Sequence, residues 1–465
     1  MKSATKDLTR GSPIRLIAGF AVPMLLGLLF QQLYNMADTI IVGKWLGVGS
    51  LAAVGSTGSI SFMIIGFCTG VCSGFAIPVA QRFGSGEHGE LRRFVANIIW
   101  VSAGLAALLT VLVCVYTRQI LELMLTPADI IDEAYLYIFY IFLGIPVTFL
   151  YNLVSGIIRA LGDSITPVYF LLLSAGLNVV LDILAVGVLH TGVEGPAIAT
   201  VISQAVSGVL CLIYMCRKFT LLRMQRGEWR PSLHHIGVLL YMGLPMGMQY
   251  SVTAVGSVVL QSAVNRLGSS AVAAVTAGGK VSNFFCCPFE ALGGTMATFA
   301  GQNVGAGKPD RIHAGLRGAM LMGAVYAAVA GAVLCLFGQD VALLFLDSDE
   351  VEILSHAQQF LTVNSLCYLL LLMVNIFRFC IQGMGYSLLA VLAGLFEMAA
   401  RTAIAFGLVP LLGFGAVCYA NPAAWLMADV FLIPAYFVCL RRVRRRFAGT
   451  AREPVSTQSN TNKGE

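Results

Sequence analysis

Charged residues are scarce in this sequence, and their scarcity decides the class of protein. Asp, Glu, Lys and Arg make up 11% of the 465 residues, against roughly 25% in soluble globular domains. Hydrophobic residues make up 58% of the chain, and the mean hydropathy is +0.83. These values exclude an ordinary soluble fold and predict an all-α, polytopic membrane protein.

Motifs of ATP-driven pumps and of enzymes are also missing. No G-x-x-x-x-G-K-[ST] phosphate-binding loop occurs, which argues against ATP-driven transport by this chain alone. The six histidines are dispersed and the twelve cysteines are scattered, which argues against a membrane-embedded enzyme, a metal centre or a bound cofactor. The basic run RRVRRRF directly follows the last apolar stretch, where an anionic-lipid anchor is a better explanation than nucleic-acid binding.

Apolar stretches long enough to cross a bilayer, about 20 residues each, recur twelve times. We call them spans 1 to 12 and predict that all are helices, because a helix satisfies its own backbone hydrogen bonds in lipid. Their predicted ranges are 14–42, 52–80, 94–116, 134–157, 166–188, 196–215, 237–262, 272–300, 315–338, 358–381, 388–411 and 420–440.

The basic residues predict the orientation of the spans. Most of the 29 lysines and arginines, Arg159 and Arg378 among them, fall in segments that face the cytoplasm if both termini are inside. One predicted outer loop, 340–352, is instead acidic. The pattern predicts a multi-pass protein of the cytoplasmic membrane with both termini in the cytoplasm.

The chain repeats itself after about 221 residues. AQRFGSG, which contains Gln81, aligns with GQNVGAG, which contains Gln302, and NLVSGIIRALGDS aligns with NIFRFCIQGMGYS at an offset of 223. The repeat predicts two pseudo-symmetric six-helix lobes around a central cleft, the architecture of secondary transporters that work by alternating access. The predicted parts are an N-terminal lobe (1–215), a basic cytoplasmic linker (216–235), a C-terminal lobe (236–440) and a basic, disordered cytoplasmic tail (441–465).

Ionisable residues inside predicted spans mark functional sites by default, because a charge is costly in lipid. The N-terminal lobe places four oxygen-bearing residues at similar depth: Asp38, Asn178, Asp182 and Thr200. Such a set suits Na⁺, which prefers hard oxygen ligands, or it suits a proton held on one carboxylate. The residues alone leave both open, together with a plainer role in which Asp38 caps local backbone or pairs with Lys44.

Further polar residues surround this set. Gln31, Tyr34 and Asn35 share span 1 with Asp38, and Asn152 lies in span 4. We expect these four residues to form a supporting polar network. Pro23 removes a backbone donor in the middle of span 1 and predicts a bend there.

The C-terminal lobe has a different set of charged residues. Lys280 and Glu290 lie in span 8, and Glu397 and Arg401 stand four residues apart in span 11. The four are candidates for the wall of the cleft. Structural pairing is an equal alternative for each, and the spacing of Glu397 and Arg401 suits an ion pair on one helix.

Several segments together resemble the multidrug and toxic compound extrusion (MATE) family. They are PMLLGLLFQQLYNMADTIIVGKWLG, the paired AQRFGSG and GQNVGAG, RALGDSITP, LNVVLDI, GVEGPAIATVIS and NPAAWLMADVFLIPAY. The resemblance covers roughly 13–440. It implies a V-shaped exporter of twelve helices, driven by H⁺ or Na⁺ and acting on amphipathic organic cations. It also implies that Asp38, Asn178, Asp182 and Thr200 form the cation-coupling site, and it matches Pro23 to the family's proline of the first helix.

The sequence departs from part of that family in its C-terminal lobe. Some members carry a glutamate in span 7 and an aspartate in span 10, whereas here Thr253 takes the first position and span 10 has Asn375 without a carboxylate. Coupling through the N-terminal lobe is therefore expected.

Other readings of the sequence remain beside the exporter. One is a flippase or exporter of a lipid-linked or anionic metabolite from the same superfamily. A major-facilitator symporter also has twelve spans, but the loop motifs after spans 2 and 8 do not suit it. The expected partners are a small-molecule substrate and the lipid bilayer, and the expected state is a monomer.

Overall fold

A computed structural model describes residues 5–124, 126–343 and 351–450. Within these ranges the chain is helical and contains no β-strand. Residues 344–350 of the predicted acidic outer loop and residues 451–465 of the predicted tail lie outside the described residues.

The helices follow the predicted spans with shifted ends. In the N-terminal lobe they are span 1 (Pro13–Trp45), span 2 (Gly58–Ser85), span 3 (His88–Leu123), span 4 (Ile131–Leu143 and Ile145–Ala160), span 5 (Thr166–Asp182, continued by a π-helix, Ile183–Val188) and span 6 (Glu194–Lys218). In the C-terminal lobe they are span 7 (Leu233–Asn265), span 8 (Ser269–Gly305), span 9 (Pro309–Ala342), span 10 (Val351–Leu366 and Tyr368–Gly383), span 11 (Ser387–Ala403, continued by a π-helix, Ile404–Leu408, and by Val409–Leu412) and span 12 (Phe414–Thr450). A short helix, Val48–Ser56, precedes span 2, and a 3₁₀ turn, Thr220–Leu222, lies in the linker.

Twelve spans are present in the described part of the chain. Eight helices are long and apolar enough to cross a membrane, and the two bent pairs in spans 4 and 10 bring the number to ten. Spans 7 and 8, with 33 and 37 residues, complete the twelve. They are less apolar because they pack against other helices in the middle of the molecule, so fewer of their side chains need to be soluble in lipid.

The last helix corrects one boundary. Span 12 was predicted to end at residue 440, before a disordered tail, but the helix continues to Thr450. The basic run RRVRRRF is therefore part of the helix of span 12. A helix that already has its hydrogen bonds can extend past the bilayer, so the end of the apolar run does not mark the end of the helix.

The two lobes share their irregular features. Span 4 bends by 44° at Gly144, and span 10 bends by 51° at Cys367. Spans 5 and 11 each contain a π-helix, beginning at Ile183 and Ile404. These matching positions support the repeat found in the sequence. The π-helices also matter locally, because π-turns inserted in α-helices are frequent at functional sites.

Span 1 connects the lobes. It is a continuous helix through Pro23, so the predicted bend does not interrupt it, and a bend in another state stays a prediction. Its inner half, the half toward the predicted cytoplasmic side, belongs to the core of the C-terminal lobe, where Ile17 and Phe20 are buried in one cluster with Phe299. A movement of span 1 therefore acts on both lobes.

Spans 2 and 7 bring the lobes into close contact through small residues. A Cβ atom on Gly70 would lie 2.5 Å from the carbonyl oxygen of Met246, and one on Gly74 would lie 2.6 Å from the Cα atom of Gly243. Four-residue spacing of glycines allows such close packing of membrane helices. Further out, the rings of Phe62 and Tyr250 meet edge to face with centroids 6.4 Å apart.

A symmetric pair of hydrogen bonds joins the lobes at the inner side. Gln81 Nε2 donates to the carbonyl oxygen of Gly383 at 3.0 Å, and Gln302 Nε2 donates to that of Ala160 at 2.8 Å. Gln81 and Gln302 are 221 residues apart and Ala160 and Gly383 are 223 apart, so the two bonds are related by the repeat. We call these four residues the glutamine latch.

The N-terminal segment, residues 5–12, reinforces one half of the latch. The Leu8 backbone N–H donates to Gln302 Oε1 at 2.9 Å, and the Lys6 backbone N–H donates to the carbonyl oxygen of Leu161 at 3.2 Å. The Leu8 side chain is buried, with 1% of its surface exposed. The segment thus contacts spans 4 and 8 at once and closes the inner side of the molecule.

Candidate functional site

Two carboxylates lie close together in the N-terminal lobe. Asp38 of span 1 and Asp182, the residue that precedes the π-helix of span 5, interact with each other. Asp182 is completely buried, and neither of its carboxylate oxygens accepts a hydrogen bond from an amide, hydroxyl or cationic donor among the described residues. Lys44 is exposed and forms no ion pair with Asp38 within those residues. We call Asp38 and Asp182 the carboxylate pair.

A hydrogen-bonded network adjoins this pair. Asn178 Nδ2 donates to Thr200 Oγ1 at 3.1 Å, and the Tyr34 hydroxyl lies 3.2 Å from the same oxygen. Asn178 stands one helical turn before Asp182 and is 1% exposed, and its Oδ1 has no partner among the described residues. The structure therefore brings together the four residues named from the sequence, with Tyr34 beside them.

Tyr137 is a neighbour that sequence reasoning missed. This tyrosine of span 4 is within electrostatic reach of both Asp38 and Asp182. Its run of sequence, YLYIFYIF, is rich in aromatic residues, and nothing in that run distinguishes Tyr137 from residues that face lipid. Only the packing of span 4 against the cluster identifies it.

The predicted supporting residues divide into two groups. Gln31 and Asn152 line cavities below the carboxylate pair, and Asn152 Nδ2 also donates to the carbonyl oxygen of Thr148 at 2.9 Å. Asn35 is exposed and lines neither cavity. Asn35 therefore lies apart from the predicted supporting network. Its helical spacing puts it on the same side of span 1 as Gln31, but only part of that side faces the network.

Two adjoining cavities, which share part of their lining, occupy the middle of the molecule. The first, about 210 Å³, lies within the N-terminal lobe and reaches Tyr34, and the second, about 340 Å³, lies between the lobes and reaches Tyr250 and Phe379. Both are lined by Met24, Leu28, Gln31, Thr69, Asn152 and Arg159. A molecule in the central cavity would therefore contact side chains that also line the space beneath the carboxylate pair.

Arg159 and Arg378 are not in cytoplasmic loops, which corrects the sequence prediction. Arg159 lies in the last turn of span 4 and lines both cavities, and Arg378 lines the central cavity from span 10. Span 4 continues to Ala160, past its predicted end at residue 157, so Arg159 lies within the helix. Arg378 already lies inside the predicted range of span 10, and the count of basic residues wrongly placed it on the cytoplasmic side. Arg378 forms a buried ion pair with Glu397, whereas Arg159 forms none in the part of the chain that the structure describes.

The charged candidates of the C-terminal lobe differ in whether they line the central cavity. Glu290 lines the central cavity and its side chain is exposed to it, and Thr253 and Asn375 line the same space. Lys280 is exposed but lines neither cavity. Glu290 is thus the one of the four candidates whose predicted place on the cleft wall agrees with these cavities.

Glu397 and Arg401 belong to a buried charged cluster behind the wall, which agrees with the structural pairing that the sequence left open as an alternative to a place in the cleft. Glu397 pairs with Arg378, and its second oxygen lies 3.8 Å from Arg401 Nη2. Asp429 of span 12 is 2% exposed and lies within electrostatic reach of Arg378 and Glu397. In their ordinary charge states the two arginines balance the two acids.

Comparison with known proteins gives one consistent family. The MatE family model matches residues 23–184 and again residues 245–407. YoeA of Bacillus subtilis, described as a probable multidrug resistance protein, is 28% identical over 368 residues, which cover 78% of this chain and 80% of that protein. An FAD transporter of Shewanella oneidensis is 24% identical over 341 residues, covering 72% of this chain and 75% of its own.

Solved structures agree on the fold. An outward-facing multidrug resistance MATE family transporter of the MOP superfamily superposes with a TM-score of 0.84 at 23% identity, covering 97% of this chain and 100% of its own. At this level of identity the likeness concerns the fold alone, and that fold is the arrangement of twelve helices in two lobes.

Proposed function

Because the chain belongs to the MatE family of membrane transporters, we propose that it is a secondary active antiporter, which exports amphipathic, cation-bearing small molecules while H⁺ or Na⁺ moves inward. The single observation that carries this proposal is the carboxylate pair. Asp38 and Asp182 lie together with no lysine or arginine paired to either among the described residues. Two buried like charges without a counter-charge are costly, and an incoming cation or proton removes that cost.

The position of the pair explains how the ion acts on the protein. Asp38 lies in the outer half of span 1, whose inner half is buried in the other lobe. Binding of an ion removes the repulsion between spans 1 and 5, and the continuous helix carries a shift of span 1 to the contact between the lobes. The ion then favours one of two arrangements of the lobes to the extent that it binds them differently.

The donor atoms are compatible with either ion. Four buried oxygens accept no hydrogen bond from an amide, hydroxyl or cationic donor among the described residues: Asp38 Oδ1, Asn178 Oδ1 and both carboxylate oxygens of Asp182. Hard cations prefer such oxygen ligands, and a proton shared between two carboxylates relieves the same repulsion. The coupling ion is therefore the first variable in the experiment.

The substrate proposal draws on the walls of the central cavity. Met24, Phe62, Met246, Tyr250 and Phe379 provide thioether and aromatic surface, which suits amphipathic organic molecules of varied shape. A space of this size lies at the lower end of the range of small-molecule sites, about 300–1,000 Å³. Arg159 favours the second candidate, export of an anionic metabolite, and one relative is an FAD transporter.

The setting of the transporter is part of the same proposal. We place it in the cytoplasmic membrane as a monomer with both termini inside. The basic helix end after residue 440 supports that orientation.

The proposal is tested by ethidium efflux from vesicles with an imposed pH gradient or an imposed Na⁺ gradient. Wild type is compared with Asp38→Asn, Asp182→Asn and the matched control Asp340→Asn, which removes an exposed carboxylate of span 9. We expect one gradient to drive efflux in wild type and in the control, and both pair variants to lose it at equal protein level. Undiminished efflux in Asp38→Asn refutes the coupling role.

A further inference from the structure

Arg159 is an embedded cation without a counter-charge. The other embedded arginines have carboxylate partners, since Arg378 pairs with Glu397 and Arg401 lies 3.8 Å from it. The Arg159 side chain has no ion pair or hydrogen bond in residues 5–124, 126–343 and 351–450, and its electrostatic neighbours are neutral groups such as Tyr151 and Cys211. A guanidinium kept in that setting without a partner is expensive unless something else supplies the negative charge.

The location of Arg159 gives it access to a ligand. It lines the N-terminal cavity and the central cavity and so lies where the two adjoin. The next residue, Ala160, accepts the hydrogen bond of Gln302 in the latch. Arg159 therefore lies on the floor of the cavity, directly above the inner closure.

The chemistry of Arg159 selects the kind of ligand. A guanidinium presents five N–H donors in a plane, which match the two oxygens of a carboxylate or phosphate. Gln31, Asn152 and Thr69 line the same region and add amide and hydroxyl groups around a bound anion. An ammonium or aromatic cation placed there is repelled.

Glu290 provides the opposite charge on the other wall. It belongs to span 8 of the C-terminal lobe, is exposed to the central cavity, and forms no ion pair among the described residues. The remaining charged residue on the wall, Arg378, is already paired with Glu397. The cavity thus offers one unpaired positive charge and one unpaired negative charge, with Tyr250 as an aromatic neighbour suited to cations.

We infer that the transported molecules are amphipathic zwitterions, whose carboxylate or phosphate binds Arg159 and whose cationic centre binds Glu290. The inference rests on the proposed function, because it takes the central cavity to be the substrate site. It narrows the substrate from any amphipathic cation to one that also carries an anionic group. It also gives Arg159 and Glu290 separate roles that one pair of ligands can distinguish.

Rhodamine 110 and rhodamine 123 form such a pair. They share a cationic xanthene dye, but rhodamine 110 has a free carboxylate where rhodamine 123 has its methyl ester. Their equilibrium binding is measured by fluorescence polarisation on the full-length protein in lipid nanodiscs, without any ion gradient. Failure of gradient-driven efflux would thus bear on the proposed function and would leave this measurement valid.

The inference predicts a pattern over two dyes and four variants. Wild type binds rhodamine 110 about tenfold more tightly than rhodamine 123, because a charge-assisted pair is lost in the ester. Arg159→Gln abolishes that preference by weakening rhodamine 110 alone, and Arg159→Lys keeps part of it. Glu290→Gln weakens both dyes by a similar factor, and the control Arg217→Gln, an exposed arginine at the end of span 6, changes neither.

Three results overturn the inference. They are equal or reversed affinities of wild type for the two dyes, no binding of rhodamine 110, and an Arg159→Gln variant that weakens both dyes equally. If Arg159→Gln does not fold, the wild-type preference together with the partial preference of Arg159→Lys decides the question.

Discussion

The glutamine latch predicts unequal effects for two residues that the sequence repeat makes equivalent. Gln302 is fully buried and makes two hydrogen bonds between segments, donating to Ala160 at 2.8 Å and accepting from the Leu8 backbone at 2.9 Å. Gln81 is partly exposed and makes one, to Gly383 at 3.0 Å. The inner closure should therefore depend more on Gln302.

The magnitudes follow from the number of bonds. A hydrogen bond contributes about 0.5–1.5 kcal/mol net, so Gln302→Ala should weaken the closed state by about 1–3 kcal/mol and Gln81→Ala by about 0.5–1.5 kcal/mol. Since about 1.4 kcal/mol corresponds to a factor of ten, the inward-open population should rise roughly 5- to 150-fold for Gln302→Ala. For Gln81→Ala the rise should be roughly 2- to 12-fold.

The assay reads access to the cavity from the inner side. A cysteine at Ser73, which lines the central cavity, is labelled by a membrane-impermeant maleimide in inside-out vesicles, in a background where the exposed Cys216 is serine. We expect the labelling rate to increase in the order parent, Gln81→Ala, Gln302→Ala. The control Gln261→Ala removes a glutamine that bonds only within its own helix and should match the parent. A Gln302→Ala rate equal to that of the parent would refute the latch.

Two further predictions concern stability, and both are checked by thermal unfolding in detergent. Gly74→Ala should lower the melting temperature because its Cβ would lie 2.6 Å from the Cα atom of Gly243. The control Gly104→Ala, at a position with open space around it, should leave the melting temperature unchanged or raise it. Equal melting temperatures of the two variants would contradict the packing of spans 2 and 7. Hydrogen bonds from Arg92 at 2.8 and 3.0 Å hold the pKa of the linker residue Glu228 below its usual 4.5, so this contact stabilises the fold above that pH and is lost as pH falls through the lowered value. The difference in melting temperature between wild type and Glu228→Gln should therefore be present at pH 7 and shrink as the pH falls below 4.5. A difference that does not change with pH would exclude the ionised pair as its cause.

The sequence predicts the parts of this molecule that depend on local chemistry. Long apolar runs determine the twelve helices, because a single span of this length satisfies its own backbone hydrogen bonds in lipid only as a helix. The repeat offset determines the lobes, and helical spacing places Asn178 beside Asp182. Equal depth along antiparallel helices then brings Asp38 and Thr200 to the same cluster.

The parts that depend on where a helix ends were predicted less well. Arg159 stands beside the loop sequence LGDS, so a count of basic residues assigns it to the cytoplasm. Span 4 continues to Ala160 and turns Arg159 into the cavity instead. Arg378 lies inside the predicted range of span 10, yet the same count of basic residues assigned it to the cytoplasm. Its buried partner Glu397 is on another helix, which no spacing along the sequence reveals.

The sequence indicated the two glutamines of the latch but not the groups that they bind. The alignment of Gln81 with Gln302 shows that two positions are alike, but it does not give their acceptors, because backbone carbonyl groups are present at every residue. The burial of Leu8 beneath Gln302 is also hidden, since a single leucine in a short polar segment has no periodic pattern to identify it.

The difference in charge between the lobes has an electrical consequence. The buried cluster of Arg378, Arg401, Glu397 and Asp429 carries no net charge in its ordinary state, so a membrane potential exerts almost no net force on it. The carboxylate pair, Asp38 and Asp182, carries up to two negative charges, and each charge that crosses 100 mV corresponds to about 2.3 kcal/mol. Voltage across the membrane therefore acts on the carboxylate pair and not on the balanced cluster of the C-terminal lobe, and the unpaired charges of Arg159 and Glu290 add a contribution of their own in each lobe.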